Sequence, residues 1–162
     1  MGTVDTARAR DRRSLRFQTV DELLKEIDRL IKSDTVGKLR KSGNWSLGQA
    51  FGHLAAWINY GYEGYPFKTP WLIRVILRTR VKKYLRDGMP AGVRIPKVEN
   101  GTHATDALST AEGADRLRKA LNRLQNGEPA KFESPAFGPM LDDQRIAFNL
   151  RHAELHLSFF QP

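Results

Sequence analysis

Two histidines near the C-terminal end of the sequence have a spacing that suits metal binding. His152 and His156 are four residues apart, so on a helix they lie on one face, one turn above the other. Two imidazoles in this arrangement can bind a single metal ion. Asn149 falls on roughly the same face, where it lines a pocket, hydrogen-bonds to a metal-bound water or hydrogen-bonds to the backbone. A complete site would need a third ligand from elsewhere in the chain.

His53 is the candidate for that third ligand. Helical bundles build metal sites in their interior from side chains on facing helices, so a histidine on an earlier helix can meet the His152/His156 pair. Three neutral imidazoles without a fourth protein ligand leave the metal open to water, which is the arrangement of a catalytic site. Spacing alone does not decide between this site and histidines that bind no metal.

Residues four positions from His53 are expected to surround it. Gln49, His53 and Trp57 repeat at helical spacing and therefore form one line down the side of a helix. Gln49 and Trp57 are predicted to support His53 or to wall the pocket around it. For Trp57, ordinary core packing is the alternative. His103, the remaining histidine, lies in a loose loop and is predicted to be solvated.

The sequence contains no cysteine. This excludes disulfides, thiolate metal sites and cysteine nucleophiles, so nitrogen and oxygen atoms must hold any metal. The absence fits a reducing cytoplasm. No apolar run approaches the roughly 18 residues that span a bilayer, and the N-terminal region lacks the apolar segment of a signal peptide. We therefore expect a cytoplasmic protein.

Positive charge is concentrated in two segments of a chain whose formal net charge is +9. Residues 1–17 contain five Arg against two Asp and lack apolar periodicity, so they are predicted to form a disordered arm before a single domain over residues 18–162. Residues 68–87 contain seven Lys or Arg against one Asp. Such a segment solubilises the protein, binds nucleic acid or an anionic membrane, or attracts an anionic substrate. Its predicted anion-attracting residues are Arg74, Arg78, Lys82 and Lys83.

Apolar residues recur at helical spacing in five segments. Capping-box patterns begin three of them, at Thr19, Ser46 and Ser109. The other two begin near Pro70 and Asp142. The predicted helices run over residues 19–33, 46–61, 70–87, 109–125 and 142–160.

The order of these segments predicts the fold class. No segment alternates at period two over a useful length, so strands are not expected. The connection over residues 88–108 is unusually long for a compact domain. The sequence predicts an all-α bundle of four long helices, with a crossover over residues 64–109 that carries an extra basic helix.

Several short motifs resemble the DinB/YfiT-like metalloenzyme superfamily. Residues 45–49 (WSLGQ), followed by His53 and Leu54, resemble its second-helix signature. Three further motifs are similar to one branch of that superfamily, which is known only as a domain of unknown function. They are residues 88–92 (GMPAG), 137–140 (FGPM) and 151–157 (RHAELHL). The motifs occur in the expected order, and the resemblance spans roughly residues 19–160. Leu155 stands where that branch often has a further histidine.

The resemblance implies a DinB-like four-helix bundle with a divalent metal bound by one histidine of the second helix and two of the last. These correspond to His53, His152 and His156, and zinc or nickel is the expected metal. Characterised relatives include transferases and isomerases that use low-molecular-weight thiols, which the metal is thought to bind and activate. We therefore expect a metal-dependent thiol transferase or hydrolase that acts on a small-molecule substrate.

Other functions remain open from the sequence. The chain is alternatively a non-catalytic binding module that places the basic helix over residues 70–87 on nucleic acid or an anionic membrane surface, although no base-reading motif accompanies that helix. A further alternative keeps the metal but lets it only stabilise the fold. Pairing into a homodimer through an exposed apolar helix face also stays open.

Overall fold

The computed structural model describes residues 4–95, 98 and 101–162. Most of these residues are helical, which confirms the predicted all-α class apart from one small sheet. The helices of the described residues are α1 (Val20–Thr35), α2 (Leu47–Glu63), α3 (Trp71–Thr79), α4 (Val81–Asp87), α5 (Thr110–Gln125) and α6 (Asp142–Leu157). The sheet pairs two short antiparallel strands, β1 (Arg40–Lys41) and β2 (Phe160–Gln161).

Three of the long helices begin where side chains cap their backbone amides. The hydroxyl of Thr19 accepts a hydrogen bond of 3.2 Å from an amide in the first turn of α1. Ser46 with Gln49, and Ser109 with Glu112, form complete capping boxes, in which each side chain bonds the backbone amide of the other residue. These contacts confirm the predicted starts of α1, α2 and α5.

The four longest helices contact one another in a closed cycle. α2 lies against α5 and α6, and α1 lies against the same two helices. α2 and α5 approach closely because both carry glycine where they meet, and a Cβ added at Gly113 would collide with the backbone of Gly48. The largest fully buried apolar side chains are Leu23, Ile27, Leu30, Phe51, Leu117, Leu121, Leu124 and Leu157. The contact between α2 and α6 positions the candidate site.

The basic helix predicted over residues 70–87 is two helices, α3 and α4, which are separated at Arg80. The hydroxyl of Thr79 donates to the carbonyl of Ile76 at 2.7 Å, and the amide of Arg80 donates to the carbonyl of Leu77 at 2.9 Å. A local hydroxyl bond competes with the helical ladder, and the tighter bond from Arg80 ends the helix. The prediction of one continuous helix is therefore wrong here.

The C-terminal residues form a strand where the sequence predicts a helix. α6 ends at Leu157, and Phe160 then pairs with Lys41 while Gln161 pairs with Arg40. Each strand contains only two residues, which is too short for a period-two pattern to show in the sequence. The prediction of no strands is therefore wrong, because the pairing depends on contacts between distant parts of the chain.

The segment before α1 is attached to α1 and α6 by polar contacts. Nη2 of Arg13 donates to Oε1 of Glu26 at 2.5 Å, and the amide of Phe17 donates to Oε1 of Glu154 at 2.5 Å. Glu154 also pairs with Arg151 at 2.9 Å, and both side chains are buried. Arg151 in turn donates to the carbonyl of Phe17. The Arg151–Glu154 pair thus holds the chain that leads into α1.

Two predictions about segments are not tested by these contacts. The disordered arm over residues 1–17, of which residues 1–3 lie outside the described residues, stays a prediction, as does the single domain over residues 18–162. The long connection over residues 88–108 contains no α-helix or strand in its described part, and residues 96, 97, 99 and 100 lie outside that part. No helix among the described residues is long and apolar enough to cross a membrane.

Candidate metal centre

Three histidine side chains from α2 and α6 converge on one point. His53, on α2, is buried, and His152 and His156, on α6, are partly buried. Nε2 of His152 lies 3.3 Å from Nε2 of His53 and 3.0 Å from Nε2 of His156. The ligand atoms of the three residues all lie within 4.8 Å of one another. The structure thus brings together the three residues that the sequence singles out as ligands.

Neutral imidazoles cannot satisfy all the contacts within this cluster. Nδ1 of His53 lies 3.0 Å from the carbonyl oxygen of His103. A carbonyl only accepts, so Nδ1 of His53 carries the hydrogen and its Nε2 presents a lone pair. Nε2 of His152 faces both His53 and His156 but forms only one hydrogen bond in this arrangement. One of the two contacts at Nε2 of His152 therefore has no hydrogen bond. A bound cation would remove the free-energy cost of this unsatisfied contact.

Two of the three separations between the nitrogen atoms are close to those in a metal site. Zinc–nitrogen bonds are about 2.0–2.1 Å long, so two nitrogens at a tetrahedral angle lie about 3.3–3.4 Å apart. The separations of 3.3 and 3.0 Å from Nε2 of His152 are close to that value. Imidazole ligands suit zinc and nickel as well as copper and iron. The donor set therefore fits a divalent metal with an open position for a further ligand.

Burial keeps the three imidazoles in the neutral form that binds metals. Burial lowers the pKa of His53 to about 4, and the backbone contacts at His103 and Ala104 offset this only in part. The pKa values of His152 and His156 are held well below the usual range, first by burial and then by the neighbouring His53. At neutral pH each ring therefore keeps a lone pair for coordination.

Two tryptophans flank the cluster. The ring of Trp45 stacks on that of His156, with centroids 5.0 Å apart and planes 10° apart, and lies 4.8 Å from the ring of His53. The ring of Trp57 lies 5.8 Å from that of His53 and 5.6 Å from that of His152. Nε1 of Trp57 is buried and has no hydrogen-bond partner among the described residues. The role of Trp57 as a pocket wall stays a prediction.

Gln49 and Asn149 make backbone contacts near the cluster. Nε2 of Gln49 donates to the carbonyl of Thr105 at 3.3 Å, which ties α2 to the loop that also contacts His53. Nδ2 of Asn149 donates to the carbonyl of Arg145 at 2.9 Å, one turn earlier in α6. The structure thus shows Asn149 hydrogen-bonded to the backbone. A role in a pocket stays a prediction for Gln49 and for Asn149.

His103 is a site residue that the sequence analysis missed. Its carbonyl accepts the hydrogen bond from His53, and its ring stacks on that of Phe67, with centroids 4.9 Å apart. Ala104, the next residue, has a φ of +57°, a left-handed conformation that is uncommon for residues other than glycine. The prediction that His103 is solvated is therefore wrong. A loop contact of this kind has no periodic signal in the sequence.

Trp45 is a second missed residue, which the sequence analysis includes only as the first residue of the motif over residues 45–49. Trp45 directly precedes the capping residue Ser46, and this position is the signal that could have predicted its contact with α2. The chain enters a helix at that point, so a large side chain there packs beside the following turns. On α2 those turns contain His53.

The predicted anion-attracting residues lie on the two crossover helices, Arg74 and Arg78 on α3 and Lys82 and Lys83 on α4. Atoms of the Arg74 and Arg78 guanidinium groups lie 3.5 and 3.9 Å from the position that a Cβ of Gly138 would occupy. Lys82 and Lys83 are exposed. An open cavity of about 210 Å³ is lined by Trp71, Arg74, Val75, Arg78, Phe137 and Gly138. The attraction of anions stays a prediction.

Comparison with known proteins identifies a family for the chain. Residues 9–162 match the family described as Protein of unknown function (DUF1569). Because this match covers nearly the whole sequence, the chain belongs to that family. No significant match was found among curated proteins or among solved structures. The description of the family states no activity.

Proposed function

We propose that this member of the DUF1569 family is a metal-dependent enzyme with a DinB-like four-helix bundle. In this proposal the Nε2 atoms of His53, His152 and His156 hold one divalent metal ion, with zinc or nickel expected. The enzyme activates water or a low-molecular-weight thiol for transfer to, or hydrolysis of, a small substrate. The convergence of three neutral imidazoles with one unsatisfied Nε2 contact is the observation that carries the proposal.

The contacts of the helices support the bundle. α1, α2, α5 and α6 contact one another in a cycle, which is the arrangement expected when four helices surround a common core. The candidate ligands come from two of these helices, as they do in bundles whose metal sites lie between facing helices. The motif resemblance over residues 45–54 supports the same assignment.

The protein residues around the cluster would fix its geometry. The carbonyl of His103 holds the ring of His53 in the orientation that points Nε2 at His152. The stacked ring of Trp45 restricts rotation of His156. A divalent metal bound there would lower the pKa of a coordinated water or thiol and polarise a substrate carbonyl.

Trp57 has a hydrogen-bond donor on a ring that lies beside the cluster. Its Nε1 is buried and has no partner among the described residues, although buried donors in native structures almost always have one. Its ring contacts both His53 and His152. In the proposed enzyme this N–H donates to an oxygen of the bound substrate and thereby orients it.

Metal content measured by elemental analysis tests the site. The protein is purified without chelators from cells supplied with zinc and nickel, together with His53→Ala, His152→Ala and His156→Ala. We expect stoichiometric metal in the wild type and an affinity loss of more than about a hundredfold in each variant, since residues that only orient ligands already change affinity by 10–100-fold.

His103→Gln is the matched control, because it also removes one imidazole but keeps the carbonyl that contacts His53. This variant should retain its metal. A wild type that takes up no metal, or a control that loses as much metal as His53→Ala, contradicts the site.

Activity is tested separately from binding. Metal-loaded protein is screened with low-molecular-weight thiols and small electrophiles, and for hydrolysis of small esters and amides. We expect turnover that a chelator abolishes and added metal restores. If the metal instead raises only the unfolding temperature, and no substrate in the screen is turned over, the metal stabilises the fold and the enzymatic part of the proposal fails.

A further inference from the structure

The helix α3 presents an apolar surface to solvent. Five of the ten large apolar side chains that are exposed among the described residues lie on this nine-residue helix. Trp71, Leu72, Val75 and Ile76 are 75%, 57%, 54% and 55% exposed. At about 100° per residue these four positions fall within one arc of about 140°. They form the exposed apolar face of α3.

This arrangement is the reverse of what a helix in a globular domain normally shows. Such a helix turns its apolar stripe towards the core and its charges outwards, yet no residue of α3 is buried. The partly buried residues are Arg74 and Leu77, and Arg74 pairs with Glu133 at 3.5 Å. Contiguous exposed apolar surface of this kind marks a site of interaction.

Positive charge lies directly beside the exposed apolar face. Arg78 is next to Trp71 and Val75 around the helix, and Arg80, Lys82 and Lys83 follow at and after the end of α3. Among the described residues, the side chains of these four have no ion pair with a carboxylate, and all four are exposed. The partner of this face must therefore accept apolar side chains and cations together.

An anionic bilayer surface fits both requirements. Interfacial helices bury a Trp- and Leu-containing face at the boundary of headgroups and acyl chains, while their Lys and Arg side chains contact anionic headgroups. A second copy of this chain would bring two clusters of like charge together. Nucleic acid would neutralise the cations but leave the apolar face in water.

We propose that α3 lies in the plane of an anionic membrane surface and attaches the protein to it peripherally. The exposed apolar face enters the headgroup region, and Arg78, Arg80, Lys82 and Lys83 contact lipid phosphates and carboxylates. The attachment does not depend on the metal centre, so it stands or falls independently of the proposed enzymatic function.

Sedimentation with vesicles tests the attachment. The full chain is mixed with vesicles of phosphatidylcholine alone or with vesicles that also contain phosphatidylserine. We expect binding to the second kind only, and a decrease in binding as salt is added. Leu72→Ser with Ile76→Ser should weaken binding at least about tenfold, since attachment scales with buried apolar area.

Matched variants test whether vesicle binding depends on this surface or on the charge and apolar side chains of the whole chain. Arg78→Gln with Lys82→Gln and Lys83→Gln should lose at least about tenfold in affinity, since each cation contributes near an anionic surface. Lys25→Gln with Lys32→Gln and Lys38→Gln removes the same charge from around α1 and should retain binding. Val36→Ser removes an exposed apolar side chain elsewhere and should also retain it.

Three results would overturn the proposal. They are equal loss of binding in the α1 charge variant, binding to an oligonucleotide but not to vesicles, and a dimer in light scattering that Leu72→Ser with Ile76→Ser converts to a monomer. The last two would assign the face to nucleic acid or to a second copy. Circular dichroism of each variant confirms that it is folded.

Discussion

The α2–α6 contact and the α3–α4 segment place their aromatic residues in opposite environments. At the first, three imidazoles and two tryptophans pack against one another inside the fold. At the second, a tryptophan, aliphatic side chains and cations face solvent, and no residue of α3 or α4 is buried. The fold therefore fixes the geometry of the first region, whereas it leaves the second exposed to solvent.

The largest contrast should come from one ion pair on α6 and one on α3. Arg151→Leu removes one partner of a buried pair on α6 and leaves Glu154 insufficiently paired, which should cost about 3–5 kcal/mol of unfolding free energy. Arg74→Leu removes the partner of an exposed Glu133 on the α3 side, which should cost less than about 1 kcal/mol. Urea unfolding of both variants measures the difference, and equal losses would contradict it.

Metal binding should stabilise the protein by a comparable amount. At a free metal concentration of about 100 times the dissociation constant, a ligand that binds only the folded state adds about 2.7 kcal/mol. Thermal unfolding with and without zinc should show this increase for the wild type and for His103→Gln. His53→Ala should show none, and a gain equal to that of the wild type would place the metal elsewhere.

Two glycines of α2 should differ in their tolerance of a methyl group. A Cβ at Gly48 would collide with the backbone of residues 108 and 109, whereas a Cβ at Gly61 meets no atom within 4 Å. Gly48→Ala should therefore cost more than about 2 kcal/mol through overpacking. Gly61→Ala should be neutral or should stabilise by up to about 1 kcal/mol, because alanine is the better helix former. Denaturation midpoints of the two variants decide between these outcomes.

Substitutions in the exposed apolar face of α3 should have the smallest effect on the unfolding free energy. Leu72→Ser with Ile76→Ser should change the unfolding free energy by less than about 0.5 kcal/mol, as surface substitutions usually do. Leu23→Ala, in the core of α1, should cost about 2–5 kcal/mol. A loss for the α3 variant as large as that for Leu23→Ala would show that α3 contributes to the folded core.

Local patterns in the sequence were sufficient to predict most of the helices. Ser46 with Gln49 and Ser109 with Glu112 bond their own helix starts, so their partners are three residues away and the pattern is visible in the sequence. The histidine cluster could also be predicted from the sequence. His152 and His156 share a helix face, and bundles build sites from side chains on facing helices. The ligand assignment itself stays a prediction.

Contacts between distant segments were not predictable in the same way. The break at Arg80 depends on a hydroxyl bond from Thr79 that a helix-period pattern does not reveal. The pairing of Lys41 with Phe160 joins residues that are far apart in the sequence. The contact of the His103 carbonyl with His53 depends on the path of a long loop. For the strand pair and the His103 contact the deciding partner lies outside the window in which periodicity operates, whereas the bond from Thr79 to Ile76 is local but leaves no periodic signal.

The hydrogen bond between His53 and the carbonyl of His103 also bears on the entropy of metal binding at the proposed site. A free histidine side chain would have to give up rotation about its side-chain bonds when it becomes a ligand. The ring of His53 is already held by that bond, and the rings of Trp45 and Trp57 lie beside it. Little rotational freedom is left to lose, so a metal bound at the proposed site would express more of its interaction energy as affinity.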